Sequence, residues 1–215
     1  MILADSAVEL SSHDSIAIVA FPEYPKYPRL SREILARLSD QLRAVQSAEC
    51  FEGLVIASNS SSFATGAKLE EVAELSGLQA LEFARLGQGV LREIALSSIP
   101  VVAAIRGFCL GGGLDLALAC NGRVAAYNSS FGCPGATLGL LTGWGGTERL
   151  PRLVGTSAAM QMLVTGERVP ATQALTLGLV DELVPSMDLV GAAARRARVI
   201  AVEASRSHAP LRIWT

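Results

Sequence analysis

In the stretch IRGFCLGGGLDLALAC, Ile105 to Cys120, three consecutive glycines are followed two positions later by a single acid, Asp115. An apolar strand that ends in glycines and opens a helix presents unpaired N–H groups at the positive end of the helix dipole, and such a site attracts anions. Two ligands fit that description: a nucleotide phosphate, or the oxygen of an acyl group as it gains negative charge. A third reading needs no ligand, because glycines also let two backbones pack closely. The dinucleotide spacing G-x-G-x-x-G is absent, and so is the Gly-Lys-Ser/Thr ending of a P-loop. A second small-residue loop, FATGAKLEEV (Phe63 to Val72), also runs into a helix start, with the Ala67 N–H beside Gly66 free to point outward. Two such loops can supply two donors to one oxygen. Asp115 then has two possible roles: a base whose pKa is raised by burial under an apolar helix, or an idle carboxylate stabilised by the helix dipole.

Other candidate groups are sparse. Cys50, Cys109, Cys120 and Cys133 are scattered without a CxxC pair, and His13 and His208 lie near opposite ends, so no metal-ligand spacing exists and no metal is expected. Cys133 has no histidine in its sequence context to activate it as a nucleophile. Trp144, in LTGWGG, is expected to pack over the site or the core. Glu148 and Arg149, at the next helix start, are expected to be solvated or capping.

The elements that must position these groups alternate. SIAIVAF, GLVIAS, VVAAIRG and RVAAY read as buried strands, with a short VDELV strand near the end. Between them lie helical patterns. SREILARLSDQLRAV places Ile34, Leu35, Leu38, Leu42 and Val45 on one face after a Ser31 cap, with Glu33 one position early for a capping box. LQALEFARLGQGVLREIALSS ends at Pro100, and a third helix runs from the glycines to about Ala119. Two further helices are expected near Thr156 to Val164 and Ala171 to Leu177. Three prolines in PEYPKYP force a loop. The alternation argues for an α/β fold with a largely buried sheet.

Half of the 215 residues are hydrophobic and 18% are charged, which excludes global disorder and suits one domain. The longest apolar runs fall short of a membrane span, so the apolar excess is read as buried interface between subunits. A net charge of −2 without a basic stripe excludes the footprint of a nucleic-acid binder. MILADSAVELSSHDS lacks the basic flank and apolar stretch of a signal peptide, which makes a cytoplasmic location the expectation.

Taken in order, the motifs resemble the crotonase superfamily, the enoyl-CoA hydratase/isomerase family. FATGAKLEEV looks like its first oxyanion-loop motif and IRGFCLGGGLDLALAC like its second. FGCPGATLGLLTGWGGTERLPRLVG and VTGERVPATQALTLGLVDELV are similar to the two segments that follow, and FPEYPKYPRLSREILARL to a distorted N-terminal motif. The likeness spans about Ala17 to Pro210. It implies a single domain over residues 1–215: a spiral of ββα units with surrounding helices over about 15–185, then a shortened C-terminal helical segment over 186–215. It further implies a homotrimer or dimer of trimers, an acyl-CoA substrate, and no cofactor, coenzyme A being part of the substrate. Carried over by position, it places the oxyanion donors at Ala67 and Gly112 and the catalytic acid at Asp115. The second acid of the family's hydratases falls on Gly135. The acyl pocket would include Gly135, Cys133, Leu138 and Trp144, and Lys26 and Lys68 would contact CoA, Lys68 and Glu70 standing where the family often has Asp and Lys. Hydration is the family's commonest assignment and the label the resemblance implies, while a lone Asp115 matches isomerisation or decarboxylation through an enolate better than two-carboxylate hydration; a member that binds CoA thioesters without turnover, or a purely structural one, is the contrasting reading.

Overall fold

A computed structural model describes residues 8–207; His208 and Pro210, where the sequence likeness ends, lie outside the described residues. The chain runs β1 (Glu9–His13), β2 (Ile16–Phe21), α1 (Arg32–Ser47), β3 (Gly53–Ser58), α2 (Leu69–Ala73), α3 (Gly77–Ala95), β4 (Val101–Ile105), β5 (Phe108–Leu110), α4 (Gly112–Ala119) and β6 (Gly122–Ala126). It continues through β7 (Ser130–Gly132), a 3₁₀ turn (Pro134–Leu138), α5 (Gly146–Val154), α6 (Thr156–Thr165), β8 (Val169–Pro170), α7 (Ala171–Thr176), β9 (Glu182–Val184) and α8 (Leu189–Ser207).

The main sheet has the order β1-β2-β3-β4-β6-β9, parallel throughout except for the β1–β2 hairpin. The four expected strands form its centre, and their continuous apolar runs follow from coverage on both faces. A second, three-stranded sheet, β5-β7-β8, was not legible in the sequence. Its strands are two or three residues long, too short for any period to show.

On one face of the main sheet α1 buries Leu35, Leu38, Leu42 and Val45, each worth about 1.5–3 kcal/mol. Ser31 caps α1 by accepting from the Ile34 N–H at 3.3 Å, and Glu33 pairs with Arg37 instead of completing a capping box. The complete box belongs to α3, where Ser76 and Gln79 exchange side-chain-to-backbone bonds. On the opposite face α8 buries Leu189, Ala192, Ala193, Ala194 and Ala197 against β3, β4 and β6. Small residues let it approach closely: Ala197 Cβ would lie 3.1 Å from a Cβ built on Gly53. Within the expected C-terminal segment 186–215, α8 thus supplies one whole side of the core.

The second sheet is what brings the two small-residue loops together. After β4 the chain turns and shifts into β5, where Leu110 N–H donates to Ala64 O at 2.9 Å and Gly111 N–H to Gly132 O at 2.9 Å. Gly66 and Gly111 sit at φ +85° and +52°, a region that side chains disfavour, so both loops need glycine at these turns.

Candidate active site

Gly112 and Ala67 open α4 and precede α2, and among the described residues neither N–H donates to a protein acceptor. The loops carrying them touch: a Cβ built on Gly66 would lie 3.3 Å from the Gly112 nitrogen. Asp115 is three residues along α4 from Gly112, hence on the same helical face. All three residues line one cavity of about 650 Å³, whose walls include Val72, Leu75, Phe83 and Leu140. Two free backbone donors and one carboxylate thus share a mostly apolar chamber.

Asp115 is 1% exposed. Its Oδ2 accepts from the Thr142 hydroxyl and from the Trp144 N–H at 3.0 Å, while Oδ1 has no hydrogen-bond partner. Burial pushes its carboxyl up from 3.8 to about 6; the Thr142 and Trp144 bonds, and more weakly Arg149 and the Gly146 amide, oppose that rise. Desolvation thus outweighs the hydrogen bonds and the Arg149 charge that favour the ionised form. The raised value also has a sign for stability. A carboxyl that is harder to ionise when folded costs nothing below pH 3.8, destabilises progressively between 3.8 and about 6, and carries its full cost above 6. At 1.36 kcal/mol per pH unit the cost is roughly 3 kcal/mol, so Asp115→Asn is expected to remove a stability loss of that order between pH 4 and pH 8. Urea unfolding of both proteins at the two pH values measures it; parallel pH dependences would contradict the burial argument.

Trp144 fills the gap between α3 and α4. Its six-membered ring would stand 2.5 Å from a Cβ on Gly112 and its pyrrole edge 2.3 Å from a Cβ on Gly87, and Phe83 meets it edge-on with centroids 5.4 Å apart. It packs over the site and in the core at once. Gly87→Ala is accordingly expected to cost about 1–3 kcal/mol by overpacking. Gly89→Ala on the same helix, where nothing lies within 4 Å, should stabilise by about 0.5–1 kcal/mol. Urea midpoints of the two variants should therefore move in opposite directions.

The other expected site residues separate into two groups. Gly135, Cys133 and Leu138 line the cavity with Trp144. The Cys133 thiol is pushed up to about 12, chiefly by burial and then by the Asp115 charge, so it stays protonated and is no nucleophile. Lys26 and Lys68 are not brought into the lining: Lys26 lies over the Tyr27 ring and Lys68 pairs with Glu71 at 3.1 Å. The basic residue that does line the cavity is Arg29, unnoticed in the sequence because it sits inside the proline-rich loop. Glu148 pairs with Arg152 as an exposed residue, as expected. Of the two expectations for Arg149, solvated or capping, the first does not hold, since it is half-buried and donates to the Trp144 carbonyl at 2.9 Å, just ahead of α5. Thr142 was missed altogether. Nothing in LLTGWGG marks it, because its partner lies 27 positions earlier.

A parallel-rich sheet with flanking helices, and two loops converging on a buried acid, define a crotonase-type α/β fold. The enoyl-CoA hydratase/isomerase family model matches residues 12–212. The chain is 38% identical over 189 residues to a crotonyl-CoA hydratase of Syntrophomonas wolfei, covering 87% of this chain and 73% of that one. Among solved structures, an enoyl-CoA hydratase of Bacillus anthracis superposes with a TM-score of 0.85 at 30% identity, over 91% of this chain and 77% of the other. DspI of Pseudomonas aeruginosa gives 0.84 at 30%, over 96% and 83%. The chain belongs to the enoyl-CoA hydratase/isomerase family.

Proposed function

We propose that this protein is an enzyme acting on an acyl-CoA thioester through an enolate, with the Ala67 and Gly112 N–H groups as oxyanion donors and Asp115 as a lone acid/base. The observation that carries this reading is the convergence of two unpartnered backbone donors and one buried carboxylate in a single cavity. In a 3-enoyl thioester, the Asp115 carboxylate takes a proton from the carbon next to the carbonyl. The electron pair moves onto the thioester oxygen, where the two N–H groups stabilise the charge, each such donor being worth about 2.7–4 kcal/mol in a protease precedent. The protonated Asp115 then returns its proton to the far carbon of the shifted double bond. No water and no cofactor is consumed. The family resemblance supports the thioester and a homotrimer or dimer of trimers, in which exposed Leu138 and Leu141 at the cavity mouth would be covered.

Gly135 favours isomerisation or decarboxylation over hydration, because among the described residues no second carboxylate lines the cavity to hold a water. It also motivates the contrasting reading, a member that binds CoA thioesters without turnover. A screen of crotonyl-CoA, 3-enoyl-CoA and malonyl-type thioesters, run beside calorimetric titration with CoA, separates them. Turnover of a 3-enoyl or malonyl-type thioester is the expected result. Binding without turnover of any of the three would establish the contrasting reading, and neither binding nor turnover would leave a scaffold.

A further inference from the structure

We propose that Thr142 is a positioning residue whose hydroxyl holds Asp115 Oδ2, so that Oδ1 is the oxygen that takes and returns the proton. The inference deepens, and rests on, the reading of Asp115 as the acid/base. The two carboxylate oxygens are not equivalent. Oδ2 accepts two hydrogen bonds, from the Thr142 hydroxyl and from the Trp144 peptide N–H at 3.0 Å, whereas Oδ1 is buried and accepts none. A proton arriving on Oδ2 would have to displace one of these donors, and a peptide N–H cannot turn round to accept. A proton arriving on Oδ1 leaves both of these bonds in place, now made to a carbonyl-like oxygen.

Thr142 is the side-chain half of this clamp. It lines the same cavity as Asp115 and is half-buried, and its methyl is seated close to Gly146, where a Cβ would come within 2.9 Å of Cγ2. That seat limits the rotation of the side chain and keeps its hydroxyl aimed at the carboxylate. A Cβ on Gly146 would also stand 2.1 Å from Oδ1, so the glycine leaves this oxygen its space. The charged and titratable groups facing Asp115 are few: Arg149 from α5, Cys109 from β5, and Cys133 just after β7, with both thiols buried and protonated. Toward α3 the neighbour is the uncharged Trp144 indole, packed on Phe83 and Gly87. Removing the hydroxyl therefore takes away the one side-chain hydrogen bond among the described residues that favours the ionised form.

The test follows the Asp115 carboxyl carbon by NMR in protein labelled with carbonyl-13C aspartate, the resonance being assigned by its loss in Asp115→Asn. Wild type should titrate near pH 6, and Thr142→Val and Thr142→Ala, which both remove the hydroxyl, about one pH unit higher. Thr142→Ser should return to the wild-type midpoint. On a thioester that turns over, kcat of the Val and Ala variants should fall by about 10- to 100-fold with KM little changed, and the acid limb of kcat/KM should move with the carbon titration. Coincident titration of wild type with both variants, or failure of serine to restore it, overturns the assignment of Thr142. The two levels of failure are distinguishable. An Asp115→Asn protein that turns over as wild type removes the acid/base reading itself. An inactive Asp115→Asn beside wild-type-like Thr142 variants removes only the role of Thr142.

Discussion

Asp115→Asn is expected to lower kcat/KM by about 10²- to 10⁴-fold on any thioester the protein turns over, the range that a positioned acid/base contributes. Asparagine preserves the size of the side chain and can still accept from Thr142 and the Trp144 N–H through its oxygen, so positioning survives and only proton transfer is lost. CoA binding measured by calorimetry should therefore stay close to wild type. The pH dependence carries a second signature. If Asp115 begins the cycle as a base, the active fraction is the ionised one, so kcat/KM should rise with pH through about 6 and level off above it. That sense is opposite to the stability effect, in which the same ionisation destabilises the folded chain. Wild type should be most active where this group costs it most stability. A variant that retains wild-type turnover, or a wild-type profile flat between pH 5 and pH 7, would show that Asp115 does not move the proton.

Gly135→Glu is expected to raise crotonyl-CoA hydration at least about 100-fold above the wild-type level. Position 135 lines the same cavity as Asp115. A Cβ there would come within 3.3 Å of the Leu140 oxygen and 3.4 Å of its Cβ, a tight fit. Leu140 is exposed and belongs to a loop, and a shift of a few tenths of an ångström there disturbs no core residue. Gly135 also has an ordinary backbone conformation, so a side chain adds no strain of its own. A second carboxylate across the cavity supplies the partner a water needs, one acid donating to carbon while the other accepts from water. It should also push the Asp115 titration above 6, because two like charges in one apolar chamber resist ionising together. A folded variant that binds CoA and hydrates no faster than wild type would mean that the lost carboxylate is not the only obstacle to hydration. Measured beside 3-enoyl-CoA isomerisation, the result also separates the two chemistries, since gain of the first need not remove the second.

Much of the fold was legible because its signals are local. β2, β3, β4 and β6 are runs of buried apolar residues with turn residues at their ends, and α1 shows its buried face every three or four positions. The β5-β7-β8 sheet was not legible, since three short strands far apart in sequence become a sheet only by pairing with each other. The expected C-terminal helical segment holds α8 (Leu189–Ser207), whose packing face only the fold decides. The small residues of α8 are what allow it to lie close over β3, β4 and β6. Gly112, Ala67 and Asp115, which line one cavity, were singled out from the glycines and from motif order, because loops and helix starts are written in neighbouring residues.

By itself, then, the sequence indicated two small-residue loops that run into helices, and which carboxylate follows one of them. It also determined that position 135 has no side chain to offer. Only the tertiary structure decided what state that carboxylate is in. Its burial, the Thr142 hydroxyl and Trp144 amide on one oxygen, and the Arg149 side chain that holds the Trp144 carbonyl all come from a segment some thirty residues downstream, folded back over α4. The pKa of an acid is set by solvent exclusion and by neighbours within a few ångströms, and those quantities exist only once distant parts of the chain have packed together.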